Sequence, residues 1–352
     1  MGKSFLKILT DLISKLKVKK DTGFESYIPI NEDYHLGAVA GKQEKFKNGH
    51  GIGIYLPIGE LQNRGREKFT CTNHATNNAL EVLFKWLIRN EPQNPIVKFL
   101  KLEGGIIDNE VNLSDRFDAW ASGTRGGNNY KRVCDSKRHN GFLFEHEWQY
   151  VDDNNEYFKT PPTEFIQKAR RRAEILDITY EFVSPNNLIE AYKYGSVATC
   201  GHAWLKPVNG IYQKTGNSIN HAFLGFDYEQ NKTKEIFDTY LDTGEGDFTK
   251  TLAWNYNLGW GVQLSVNLKK NFNLVLIEKL RKDGIDLIMR TDADGEVYEL
   301  TDYGLTFLDS NKDEINRHIP LVDYCIKKGF SGKAFKILPI NEETYKKLSG
   351  EN

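Results

Sequence analysis

The sequence predicts an α+β protein with two unlike lobes, a helical one followed by a strand-rich one. Three observations predict it. Apolar residues recur at helical spacing in the first half, most clearly between Phe69 and Arg89. Short β-prone runs separated by turn signals fill the stretch from Ser196 to Leu268. The pattern changes again after Lys269, where β-prone residues flank a hairpin signal at Asp294-Gly295. The 352 residues therefore divide into an N-terminal helix and arm (1–45), a main domain (46–268) and a small C-terminal α/β domain (269–352).

The first element is an amphipathic helix over Met1–Lys20. Phe5, Leu6, Ile8, Leu9, Leu12, Ile13 and Leu16 share helical spacing, interrupted by Lys7, Asp11, Lys15 and Lys17. Those charges break the continuous apolar run that a signal peptide needs. The helix can pack on its own protein or dock, through its basic face, on a partner or a membrane surface. Leu6 stands where a myristoylation signal needs Ser or Thr. No run of 18 apolar residues exists, so no transmembrane segment is expected.

Asp21–Gly51 reads as a polar arm. The helix that follows at Phe69–Arg89 starts near Thr70–Cys71, carries Ala75, Ala79, Val82, Leu83, Trp86 and Leu87 at a 3.6 period, and is closed by Asn90 and Pro92. Asn112–Tyr150 is rich in Gly, Ser, Asn and charge, which predicts loops and short helices anchored by Trp120, Trp148 and Tyr150. Pro161–Leu176 reads as a helix capped by Thr163, and Asn186–Tyr194 as a short one. Strands are expected at Ser196–Trp204, Asn220–Asp227, Glu235–Tyr240 and Trp260–Leu268. In the tail, Leu274–Arg281 and Glu342–Leu348 read as helices. Ile285–Arg290 with Glu296–Thr301 reads as a hairpin, and Ala334–Pro339 as a strand.

Composition excludes some functions. Lys and Arg total 47 against 48 Asp and Glu, so nucleic-acid binding through bulk positive charge is not expected. The four cysteines, Cys71, Cys134, Cys200 and Cys325, are few and widely spaced, which predicts a reducing, cytoplasmic setting rather than a disulfide scaffold. No Cys-x-x-Cys pair occurs, and no metal site is expected.

Three residues carry candidate chemistry. Cys71 stands at the start of the strongest helix, where the helix dipole and free amides favour thiolate. Its own N–H can donate to an oxyanion. His221 opens the run Asn220-His221-Ala222-Phe223-Leu224, where a ring at a strand rim can face a cleft. Asp238 follows 17 residues later, and pairing of the two runs as a hairpin would bring it beside His221 to orient the imidazole.

The stretch Cys71-Thr72-Asn73-His74-Ala75-Thr76-Asn77-Asn78-Ala79-Leu80-Glu81 resembles the nucleophile helix of the papain-like cysteine peptidases. Asn220-His221-Ala222 resembles that family's histidine motif, and Gly259-Trp260-Gly261 its late Gly-Trp-Gly strand. Leu113-Ser114 and Gly141 through Tyr150 echo further stretches in the same order. The resemblance spans about Tyr55 to Leu268 and implies a two-lobed fold, helical lobe plus β-barrel-like lobe. It implies a nucleophile at Cys71, a base at His221 and an orienting residue at Asp238.

The departures are specific. The family's Cys-Gly-Ser-Cys-Trp is absent, as are its disulfide cysteines, and its Asn-Ser-Trp is replaced by Asp238-Thr239-Tyr240. Its oxyanion Gln lies six residues before the nucleophile, where this chain has Gly65. Gln62 takes that role if Arg64–Arg66 is an insertion, with Asn63 as the substitute.

The function implied is cysteine-type hydrolysis of a peptide or protein amide through a thioester, with no cofactor. Two other readings stay open: a peptidoglycan hydrolase, and a structural or assembly component of a bacterial virus, which would make the chain virion-associated. Other signals carry less. Arg290 to Thr301 lacks calcium-loop ligands at its ends. Gly123–Gly127 has no phosphate-loop Lys after it and reads as a flexible loop near the cleft. Cys134 and His139 have no further ligands nearby. His74, one turn after Cys71, reads as structural, facing solvent or the cleft.

Overall fold

The computed structural model describes residues 23–38, 42–63, 67–204, 207–214, 218–240 and 248–269, and the backbone of 288–291, 297–301 and 304–305. The described residues begin with a two-residue strand β1 (Gly23–Phe24), followed by the helices α1 (Cys71–Asn90), α2 (Pro95–Leu102) and α3 (Asp115–Ala121). Then come β2 (Gly127–Asn128), α4 (Tyr130–Asn140), α5 (Asn154–Tyr157) and α6 (Thr163–Ile175). The second half holds β3 (Leu176–Val183), α7 (Leu188–Tyr192), β4 (Val197–Gly201), β5 (Ile211–Tyr212), β6 (His221–Glu229), β7 (Thr233–Phe237), β8 (Thr249–Ala253) and β9 (Gly261–Leu268). Helices first and strands second is the α+β order that the sequence predicts.

The strand-rich lobe is an open seven-stranded sheet in the order β3-β9-β4-β6-β7-β8-β5, with β3 and β5 at its edges. All neighbours are antiparallel except β5 and β8. Gly259 and Gly261 explain how β9 enters beside β4. A Cβ at Gly259 would lie 2.6 Å from Cys200 Sγ, and one at Gly261 2.7 Å from Ala198 O, so a larger residue at either position would force its neighbours to shift.

Helix α1 is the centre of the molecule. Ala75, Ala79, Leu80, Val82 and Phe84 are buried in one continuous core with Val197, Ala198, Ala222, Leu224 and Val262 of the sheet. Truncating such a residue, for example Leu80→Ala, costs about 2–5 kcal/mol. The polar residues of α1 are buried too, and they bolt it to α3 and α4. Asn73 Nδ2 donates to Asp118 Oδ2 (2.8 Å) and Ser122 Oγ (3.0 Å). Asn77 Nδ2 donates to Asp115 Oδ1 (2.8 Å), and Lys137 donates to Asn77 Oδ1 while lying 2.8 Å from Asp118. These bonds among buried side chains fix the orientation of the helix.

The arm before α1 is tied across the sheet. Leu36 N donates to Phe182 O (3.0 Å), and Lys42 Nζ donates to Glu181 (2.6 Å) and Gln263 (2.5 Å). β1 pairs in parallel with β2 and touches both α1 and β6. Phe24 is buried there, with its ring 5.4 Å from Tyr130. Tyr130 in turn donates its hydroxyl to Thr199 O and joins the helical lobe to β4.

Several elements differ from the sequence reading. Thr163 is the first helical residue of α6 and makes no capping bond, because Pro162 occupies the cap position. Strand β3 is missed: the helix reading runs on to Leu176, although Leu176, Ile178, Tyr180 and Phe182 alternate cleanly with Asp177, Thr179 and Glu181. β8 is missed as well. In the tail, β10 (Ile288–Thr291), β11 (Val297–Thr301) and β12 (Gly304–Leu305) form an antiparallel sheet, consistent with the hairpin signal. The readings for Met1–Lys20, Leu274–Arg281, Ala334–Pro339 and Glu342–Leu348 lie outside the described residues. Among the described residues no helix is long and apolar enough to cross a membrane.

Candidate active site

Cys71 is the first residue of α1, and the amides of a first turn have no partner inside the helix. The entry to the helix is strained: Phe69, two residues earlier, has φ 55°, a left-handed conformation that costs a non-glycine residue about 1–2 kcal/mol. Thr72 Oγ1 donates to Asn128 O (3.1 Å), and Asn128 Nδ2 donates to Thr124 Oγ1 (2.7 Å). The Gly-rich loop is thereby pinned to the helix tip.

His221 begins β6, with β4 on one side (Gly201 opposite His221) and β7 on the other. Leu224 pairs with Phe237, so the antiparallel register carries Asp238, one residue beyond β7, back toward His221. His221 Nε2 lies 2.8 Å from Asp238 Oδ1. The Cys71 thiol is close enough to His221 to raise the pKa of the imidazole. With Nε2 on Asp238, Nδ1 is the ring nitrogen left for the sulfur.

The electrostatics follow from burial and neighbours. His221 is buried, which on its own would lower its pKa. The Asp238 carboxylate, aided by the contact with Cys71, overcomes this and raises it to about 10. Burial pushes Asp238 up, but His221, Lys250 and the Tyr240 amide bring it below the ordinary carboxylate value. The Cys134 and Cys200 thiols are pushed up by burial. Among the described cysteines, Cys71 is the one whose thiol raises the pKa of His221.

Asp238 has further partners that the sequence reading misses. Trp204 Nε1 donates to Asp238 Oδ2 (2.8 Å), Tyr240 N donates to Oδ1 (3.1 Å), and Lys250 Nζ lies 3.5 Å from Oδ2. The Trp204 ring stands edge-on to His221, with centroids 5.8 Å apart. Lys250 has a legible signal: it shares the inward phase of β8 with the buried Leu252. Trp204, 34 residues from Asp238, has none.

Gln62 is buried, and its backbone is tied to Thr239, the residue after Asp238. Its N–H donates to Thr239 O (3.2 Å), its carbonyl accepts from Tyr150 Oη (3.3 Å), and its Oε1 is buried without a hydrogen-bond partner. His74 is fully buried, correcting the view that it faces solvent or the cleft. Its Nδ1 lies 2.6 Å from Asp115 Oδ2 in the α1–α3 network. Among the described residues no cluster could hold a metal ion.

Comparison with solved structures returns papain-like cysteine proteases. The chain is similar to the clostridial cysteine protease Cwp84 (15% identity over 63% of this chain, TM-score 0.45). It is also similar to the cysteine protease and lectin-like domains of Cwp84, a surface layer associated protein of Clostridium difficile (14% over 82%, TM-score 0.48). Xylellain, a cysteine protease from Xylella fastidiosa, matches at 13% identity over 70% of this chain and 96% of its own, with TM-score 0.44. The chain spans 58% and 65% of the two Cwp84 structures. No family model matches the chain, and no curated protein matches it in sequence.

Proposed function

We propose that the chain is a papain-like cysteine hydrolase acting on peptide or protein amides, with Cys71 as nucleophile, His221 as general acid and base, Asp238 as the residue orienting His221, and Gln62 as an oxyanion donor. The observation that supports this reading is His221 with the Asp238 carboxylate 2.8 Å from one ring nitrogen and the Cys71 thiol near enough to raise its pKa. A thiol beside an imidazole that is itself oriented by a carboxylate is what an activated nucleophile requires.

In this reading His221 takes the Cys71 proton, leaving a thiolate and an imidazolium. The sulfur attacks the amide carbonyl carbon, and the negative charge moves to the carbonyl oxygen. The Cys71 N–H at the helix tip and the Gln62 side-chain amide stabilise that oxygen. His221 gives its proton to the leaving nitrogen as the C–N bond breaks. Water, losing a proton to His221, then attacks the thioester and frees the acid and the thiol.

The raised His221 keeps its proton through the neutral range, so the rate falls as pH rises through about 10. The test is hydrolysis of denatured gelatin, followed by release of new amino groups. Wild type should hydrolyse it, and Cys71→Ser and His221→Ala should each lose at least about a thousandfold. Equal rates for wild type and Cys71→Ser would refute the reading.

A further inference from the structure

Asp238 occupies a position where the papain-like pattern carries a neutral amide. A lone carboxylate against His221 has a chemical drawback. It holds the imidazolium too firmly, and an acid that will not release its proton is a poor catalyst. The fold places a counter-charge there. In the β7–β8 pair Ile236 lies opposite Lys250, and Asp238 N donates to Phe248 O (2.8 Å). That register sets the Lys250 ammonium beside the carboxylate, 3.5 Å from Oδ2, on the side away from His221 Nε2, which holds Oδ1. Lys250 is 3% exposed, so solvent does not screen it. Its Nζ also donates to Tyr240 O (3.4 Å) and lies 5.7 Å from the Trp204 ring centroid.

We propose that Lys250 is a positioning residue of this site: its ammonium offsets part of the charge of Asp238, so that the carboxylate holds the His221 proton less firmly than it would alone. The carboxylate keeps the geometry of a strong hydrogen bond, and the cation keeps His221 able to give up its proton. Among the described residues, the titratable and charged groups facing His221 are Cys71 from α1, Asp238 after β7, Lys250 from β8 and the Tyr240 ring. The consequence for catalysis rests on the hydrolase reading above; the effect on His221 does not.

The test follows His221 by histidine-labelled NMR in the full chain, as wild type and as Lys250→Met. A unit charge on the order of 7 Å away, in an effective dielectric of about 20, moves a midpoint by roughly one to two units. Removing the cation should therefore raise the His221 midpoint by at least about one unit. An unmoved or lowered midpoint overturns the proposal, and a merely structural lysine would give that result. If Lys250→Met fails to fold, Lys250→Gln supplies the same comparison with a polar end.

The catalytic arm is a rescue. Asp238→Asn leaves Lys250 as a buried cation with no counter-charge beside His221. The double variant Asp238→Asn with Lys250→Met restores neutrality, and its kcat should exceed that of Asp238→Asn by about tenfold. A double variant no faster than Asp238→Asn also overturns the proposal. If the wild type hydrolyses no peptide, the hydrolase reading fails, and the NMR midpoint still decides on Lys250.

Discussion

Glu145→Gln should make the protein more stable at neutral and alkaline pH. Glu145 lies between α4 and α5, and its Oε2 is buried without a hydrogen-bond partner. Burial, then the nearby Glu60 and Asp115 charges, raise its pKa from 4.5 to about 9. A raised carboxyl means that the folded state holds a proton the unfolded chain has lost. Between about pH 4.5 and 9 the unfolded state binds fewer protons, so stability falls as pH rises through that window. At pH 7 the window traversed is about 2.5 units at 1.36 kcal/mol each, or about 3 kcal/mol. Gln carries no such cost. Urea unfolding at about pH 4, 7 and 9 measures it. The variant should match wild type near pH 4, exceed it by up to about 3 kcal/mol at pH 7, and exceed it further at pH 9. A difference that does not change with pH would refute the reasoning.

Gln62→Ala should lower the hydrolysis rate by about 10²–10³ with little change in KM, the loss expected for one oxyanion donor. Arg172→Met should destabilise the helical lobe by about 3–5 kcal/mol in urea unfolding. Arg172 is fully buried, grips Glu147 through two bonds (2.6 and 2.8 Å) and reaches Glu103 (3.2 Å), so its loss leaves Glu147 with Lys168 and Glu103 with Arg171 as their remaining cations. In wild type the Arg172 and Lys168 contacts outweigh burial and hold Glu147 down at about 2. Its contribution is complete above about pH 4.5 and should disappear as pH falls toward 2, visible as an acid-dependent loss of stability that is smaller in the Met variant.

Local patterns reveal much of this molecule, and long-range pairing reveals the rest. Helix α1 is legible because its apolar residues keep one period from Ala75 to Leu87 and its start is marked at Thr70–Cys71. Strands β4, β6, β7 and β9 are legible from short β-prone runs between turn signals. β3 is hidden by the helix next to it: α6 ends at Ile175 and β3 begins at Leu176, with no glycine or proline to mark the border. The meeting of His221 with Asp238 is legible because a hairpin 17 residues long brings them together. The contacts on the far side of Asp238 are not: Lys250 shows an inward phase in its strand but only sheet register brings it to Asp238, and the indole of Trp204, beyond the end of β4, has no local signal. His74 shows the opposite limit. Its position one turn from Cys71 suggests the cleft, but the helix rotates it onto Asp115.

The three described cysteines allow the most direct test, because they are equally buried: Cys71 is 1% exposed, Cys134 0% and Cys200 1%. Exposure therefore cannot separate them, and a neighbouring imidazole can. At about pH 6 an ordinary thiol is under about 1% ionised, so a sulfur deprotonated by His221 should react with iodoacetamide at least about tenfold faster, even allowing for its weaker nucleophilicity. Mass-spectrometric mapping of the full chain should show Cys71 alkylated ahead of Cys134 and Cys200, and His221→Ala should erase the lead. Cys71 reacting no faster than the other two, or a lead that survives His221→Ala, would contradict the account.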